Sequence, residues 1–169
     1  MITNIIKKIY NFVIMKINFY HTSGTRYKIG DIIGGPGHKV FMHTDVVPHW
    51  TIQSIVKLGY TSYKELEKTE KAKNDIFSKK WDEWVASGQI GEAPEYTTRY
   101  ELINKKFVNT IVYQVRPVKK PVYLPSNREY VVENGFVEIV KIIGNASGIL
   151  KNNERILGKK YILRSMAIK

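Results

Sequence analysis

The chain has 169 residues, 43% from the AVILMFWYC set and 25% charged, a globular mixture sized for one compact domain and too short for two ordinary ones. No apolar run reaches the roughly 18 residues of a membrane span, and the absence of Cys excludes disulfides, thiolate metal sites and cysteine nucleophiles. The net charge of +12 is uneven: residues 1–60 hold seven basic and two acidic residues, residues 61–110 nine of each, and residues 111–169 eleven and four. Both ends therefore favour an anionic partner, and the middle is neutral.

The opening MITNIIKKIYNFVI lacks the long apolar core and small-residue cleavage site of a signal peptide. Residues 1–15 are read as an N-terminal extension, residues 16–169 as a single domain, and the expected location is cytoplasmic. Lys16–His21 alternates apolar and polar residues, which predicts a strand, and Thr22-Ser23-Gly24 is turn chemistry. Tyr27–Ile33 reads as a short loop or strand, and Gly34-Gly35-Pro36-Gly37 as a tight loop. Lys39–Thr44 is a second strand; Thr44 or Asp45 caps a helix over Val46–Leu58, with Pro48 in its first turn and Gly59 past its end.

The helical segment 61–95 centres on a helix over Tyr63–Val85, with Glu–Lys pairs at i, i+4 and apolar Leu66, Ile76, Phe77, Trp81 and Trp84. Trp81 and Trp84, one turn apart, read as core-packing residues. Ser87–Glu95 is a loop. Strands are predicted over Lys106–Val115, Val122–Leu124, Glu129–Val132, Phe136–Ile143 and Tyr161–Ile168, with Asn134-Gly135 as a hairpin turn. Strands at both ends around a helical middle predict an α+β fold.

No nucleotide-binding glycine signature, zinc-protease motif or nucleophile elbow is present, and His38, His43 and His49 lack acidic partners at ligand spacing, so no metal site is expected. Three distant segments carry the chemistry. Phe19-Tyr20-His21-Thr22-Ser23-Gly24 ends a strand on an imidazole and a small-residue turn, and Tyr27–Ile33 comes directly after it. Val40-Phe41-Met42-His43-Thr44-Asp45 leads into a helix. Asn127-Arg128-Glu129-Tyr130-Val131-Val132 opens a strand on a carboxylate.

At these residues the chain resembles the ADP-ribosyltransferase fold family of the diphtheria-toxin-like, H-Y-E kind. Phe19-Tyr20-His21 and Ile29-Gly30-Asp31-Ile32-Ile33 resemble the opening of the small rifampin ADP-ribosyltransferases. Asn127–Val132 is similar to the strand that carries the catalytic Glu of the poly(ADP-ribose) polymerases. The resemblance implies a split β-sheet core around NAD, used as co-substrate. It assigns His21 to the adenosine ribose, Thr22 and the adjoining Ser23 to the nicotinamide end, and Glu129 to the nicotinamide ribose as the catalytic carboxylate. The family's stacking Tyr has no counterpart in Val40–Thr44: one register puts Met42 in that slot, the other Phe41. Glu133 and Glu138 are read as solvent-facing hairpin charges.

The expectation is an NAD-dependent ADP-ribosyltransferase of bacterial or phage type, its acceptor a protein, a nucleic acid or a small molecule. The +12 charge tilts that acceptor towards a nucleic acid or an acidic protein. Oligomeric state stays open. The alternatives are a basic nucleic-acid-binding module without catalysis, and a same-fold RNA 2′-phosphotransferase-like or degenerate NAD-binding domain.

Overall fold

Seven strands and four helices form from this sequence in the computed structural model, which describes residues 17–153 together with Asn4 and Ile5. The class is α+β, with two antiparallel sheets and a helical stretch between strands. The chain divides into two compact units, Met1–Pro48 with Ile111–Gly144, and His49–Thr110 with Asn145–Lys169. Among the described residues no helix is long and apolar enough to cross a membrane. The strand expected over Tyr161–Ile168 lies outside the described residues, as does most of the extension over 1–15.

Among the described residues the strands belong to the first unit, save that the last residue of β7 falls in the second: β1 (Phe19–Ser23), β2 (Ile32–Gly34), β3 (Lys39–Met42), β4 (Ile111–Pro117), β5 (Val122–Leu124), β6 (Glu129–Glu133) and β7 (Phe136–Asn145). One sheet runs in the order β1-β4-β7-β2 and the other β3-β6-β5. Alternation in each strand turns one set of side chains inward. Phe19, Val40, Met42, Tyr113, Val115, Val132, Val137 and Ile139 form the core, with Tyr27 and Tyr130 packed against it. The two sheets meet at a single bridge between Tyr20 and His43, whose amides and carbonyls exchange hydrogen bonds of 2.8 and 2.9 Å.

Asn134-Gly135 is not a hairpin turn. β6 and β7 belong to different sheets, so these residues form the corner at which the chain crosses between them. Asn134 has φ 54°, but Gly135 lacks the positive φ that a type I′ turn also demands at its second position. Tertiary bonds claim the corner instead: the Asn134 amide donates to the His38 carbonyl (3.0 Å), its side-chain oxygen accepts from the Gly37 amide (2.7 Å), and the Gly135 carbonyl accepts from the Gly35 amide (2.8 Å). The glycine loop is thus laced to the corner. Gly34, at φ +94°, comes so close that a Cβ there would lie 2.4 Å from the Gly135 carbonyl oxygen. Gly34→Ala combines that overlap with a disfavoured φ and should cost about 3 kcal/mol. Urea denaturation checks this; a loss below about 1 kcal/mol would show that the corner yields.

The second unit comprises α1 (His49–Lys57), α2 (Tyr63–Ala86), α3 (Tyr100–Ile103) with a π-helical turn over Asn104–Val108, and α4 (Ala146–Asn153). α1 starts three residues later than predicted. Pro48 steers Val47 away from helical backbone, so the helix begins only after it. The strand predicted over Lys106–Val115 begins at Ile111 because its first residues keep a helical period: Ile103 and Phe107, four apart, are both buried, and Phe107 packs on Tyr63 with ring centres 5.1 Å apart.

α2 starts where predicted, on a capping box: the Ser62 hydroxyl accepts from the Glu65 amide (3.1 Å), while the Glu65 carboxylate accepts from Thr61. Its expected apolar face is only partly realised. Tyr63, Leu66 and Glu70 are buried, but no residue from 71 to 86 is. Trp81 is 41% exposed and Trp84 half-buried, so neither is a core residue: the helix runs beyond the elements that could cover it.

Candidate functional site

The candidate residues all lie in the first unit, around the Tyr20–His43 bridge. β1 pairs with β4 so that His21 faces Tyr113 and Phe19 faces Val115, which sets His21 on the core side of the strand. Tyr113 then fixes the turn after β1. Its hydroxyl donates to the Thr25 carbonyl (2.8 Å) and accepts from the Tyr27 amide (3.0 Å), which folds that turn back beside His21. The Ser23 hydroxyl accepts from the Thr25 amide (3.0 Å), so it serves the turn itself.

His21 Nδ1 lies 2.8 Å from the Phe41 carbonyl oxygen. A carbonyl only accepts, so Nδ1 carries the proton and Nε2 keeps a lone pair, for which the described residues supply no partner. Burial pushes the His21 pKa below its ordinary value, the bond to Phe41 opposing, and the ring stays neutral at neutral pH.

His43 is the residue to which sequence reasoning gives no site role, beyond placing it in the segment Val40–Asp45 and discounting it as a metal ligand. Its Nδ1 donates to the Asp45 carbonyl (2.5 Å) and its Nε2 accepts from the Thr22 hydroxyl (2.7 Å). Burial lowers its pKa to about 4, so it is a neutral, fully bonded strut that orients Thr22 from the neighbouring strand. A His placed two residues before a turn-forming Asp is the local signal that hints at this. Tyr20 stacks on its ring at 6.2 Å.

Phe41 and Met42 separate cleanly. Met42 is 0% exposed and belongs to the core, so it cannot be a ligand-stacking residue; withdrawing it would forfeit about 2 kcal/mol of burial. Phe41, on the opposite face of β3, is 43% exposed. Of the two, only Phe41 presents its side chain to solvent.

Glu129 opens β6 directly after the β5–β6 hairpin, in which Arg128 takes the left-handed conformation at φ 53° and the Asn127 amide returns to the Leu124 carbonyl (3.2 Å). Met42–Tyr130 is the last pair of the β3–β6 ladder, and Glu129, one residue before Tyr130, pairs with Leu124 of β5. Alternation places Glu129 with Val131 and Phe41 on one face, away from core-facing Tyr130 and Val132. The carboxyl is half-buried, burial raises its pKa, and no described cation pairs with it. Glu133 and Glu138 differ: each has an ion-pair partner, Lys39 at 3.6 Å and Arg116 respectively.

The structure thus gathers His21, Thr22, the Phe41 backbone and His43 into one bonded joint. Glu129 lies one residue before Tyr130, the last β6 residue paired with β3, and makes no hydrogen bond to His21. Among the described residues no group of His, Asp or Glu is placed to hold a metal ion. Compared with models of known protein families and with curated proteins, the chain matches none.

Proposed function

We propose that the first unit is an ADP-ribosyltransferase-like domain that binds NAD and transfers ADP-ribose to an acceptor, releasing nicotinamide. The observation that carries this reading is the joint between the two sheets, which bonds a neutral His21 with a free Nε2 and an oriented Thr22 to the strand of exposed Phe41, next to the strand that carries an unpaired, partly desolvated Glu129. Two sheets split at β1 and β3 also suit the fold that the resemblance implies. His21 and Glu129 do not touch, which fits their assignment to the two different riboses of one dinucleotide.

NAD supplies the reactive bond: departure of neutral nicotinamide leaves positive charge on the ribose. The chain supplies the field. A carboxylate without a cation partner, in a partly water-excluded position, gains most from a cation that forms beside it. Neutral His21 can accept a ribose hydroxyl proton through Nε2, and Phe41 offers a face to the nicotinamide ring.

Incubating the protein with NAD labelled in its adenylate half and a cell extract tests this. Nicotinamide release with label appearing in protein, nucleic acid or small molecule is the expected result; no nicotinamide release under any condition rejects it. Phe41→Tyr should retain NAD turnover, whereas Phe41→Ala should raise KM about tenfold, since a lost aromatic stack is worth about 1 kcal/mol or somewhat more. Equal turnover by Phe41→Ala and the wild type would remove Phe41 from the site.

A further inference from the structure

Beyond Glu70, α2 leaves the body of its unit as an arm. Residues 71–86 form its outgoing helix, residues 87–97 return along it, and Thr98 and Arg99 close its base by bonding back to Glu70. The arm is organised. Phe77 meets Trp81 at 5.9 Å and Tyr96 edge-on at 4.9 Å, Trp81 meets Trp84 at 5.1 Å, and the Trp84 indole donates to the Gly91 carbonyl (3.2 Å). Trp81 and Tyr96 nevertheless stay exposed, as do Ile76, Val85 and Ile90. So much aromatic surface held in order and left exposed among the described residues marks an interaction site.

Charge identifies the occupant. Residues 81–97 contain Asp82, Glu83, Glu92 and Glu95 and not one Lys or Arg, in a chain whose total is +12. All four carboxylates are exposed, and among the described residues none makes an ion pair or hydrogen bond. Phe77, Ser78, Trp81 and Asp82 line a shallow cleft of about 250 Å³, which sets an aromatic pair beside a carboxylate. A guanidinium or ammonium group satisfies both, lying over a ring face while bonding the acid. Lys79 and Lys80 lie one turn before Asp82 and Glu83 on the same helix, but among the described residues neither forms an ion pair with them.

We infer that this arm is a docking surface for a Lys/Arg-rich segment of another protein. A nucleic acid is disfavoured there because its phosphates would meet four unneutralised carboxylates. A second copy is disfavoured because two chains of +12 repel one another. The inference stands apart from the NAD reading and survives its failure.

The test titrates the full chain into a fluorescein-labelled oligoarginine peptide and reads anisotropy. The wild type should bind, with affinity falling as salt rises. Trp81→Ala should weaken binding about tenfold, the loss of one partly desolvated cation–π contact. Asp82→Lys should weaken it further, and Glu92→Gln combined with Glu95→Gln should do so independently of the aromatic residues. Asp82 is unpaired, so Asp82→Lys should keep the wild-type melting temperature, whereas Trp81 packs on Phe77 and Trp84 and Trp81→Ala should lower it slightly while remaining folded; that check accompanies the titration. Failure of the wild type to bind, or equal binding by Trp81→Ala and Asp82→Lys, overturns the inference. So does Trp81-dependent binding of labelled oligothymidylate, or a dimer in sedimentation that Trp81→Ala dissociates.

Discussion

Glu129→Gln should lower the rate of nicotinamide release from NAD by roughly 10²–10³-fold, the usual effect of deleting one electrostatic stabiliser of a transition state. NAD affinity should barely change, because the charge acts on the cation that develops and not on bound dinucleotide. Thermal stability separates this outcome from unfolding. Burial raises the Glu129 pKa above the ordinary carboxylate value, so in the folded protein the ionised form is disfavoured and stability falls as pH rises through that interval. Glutamine removes the charge and its desolvation together, so the variant should melt at or above the wild-type temperature. An inactive variant that is also less stable would point to a structural role. The same shift predicts that activity rises with pH through an apparent pKa above the ordinary carboxylate range, as Glu129 ionises. Glu133→Gln and Glu138→Gln, whose carboxylates already face Lys39 and Arg116, should leave turnover nearly intact. Full activity in Glu129→Gln would dismiss the carboxylate assignment.

The elements that local pattern could predict are those whose pattern agrees with their tertiary setting. β5 spans the predicted Val122–Leu124, β6 runs one residue beyond the predicted Glu129–Val132, and α2 starts on its capping box at Tyr63. Where tertiary bonds decide, local pattern misled. Asn134-Gly135 carries a strong hairpin dipeptide, yet the glycine loop at Gly34–Gly37 binds it into a corner between sheets. The apolar spacing of Phe77, Trp81 and Trp84 is that of a buried helix face, and nothing in the sequence says that the body of the unit ends near Glu70. Of the candidate site, His21, Thr22, Phe41 and Glu129 are singled out through the family resemblance of their segments. The choice between Phe41 and Met42 is not legible there, because it depends on which face of β3 meets the core. His43 is not given a site role for a related reason: that role lies in a bond to Thr22, 21 residues away.

Glu70→Ala should cause the largest loss of stability of any single substitution in the helical unit, about 3–5 kcal/mol. The carboxylate is 3% exposed and gathers donors from three places. Tyr60 donates to Oε1 at 2.8 Å, Lys73 reaches the same oxygen at 3.3 Å, and the Arg99 amide and Thr98 hydroxyl reach Oε2 at 2.8 and 3.4 Å. Burial alone would raise its pKa, but the Arg99 amide, Tyr60 and Lys73 together outweigh it and leave the pKa below its ordinary value. That direction sets the sign of the pH effect. A carboxylate with a depressed folded pKa contributes stability above its unfolded value, and that contribution disappears as pH falls through the folded value. The wild type should therefore lose stability on acidification through that window, and Glu70→Ala should lose less, having none of this contribution to surrender. Lys73→Ala is the necessary contrast. Its ammonium is half-exposed, so the ion pair itself should contribute little. Urea denaturation with an unchanged m-value would measure all three proteins. If Lys73→Ala costs as much as Glu70→Ala, the ion pair and not the hydrogen-bonded carboxylate holds the unit together. If neither costs more than about 1 kcal/mol, Glu70 does not close the base of the arm, because the helix leaving at residue 70 and the chain returning at 98 would be held by packing alone.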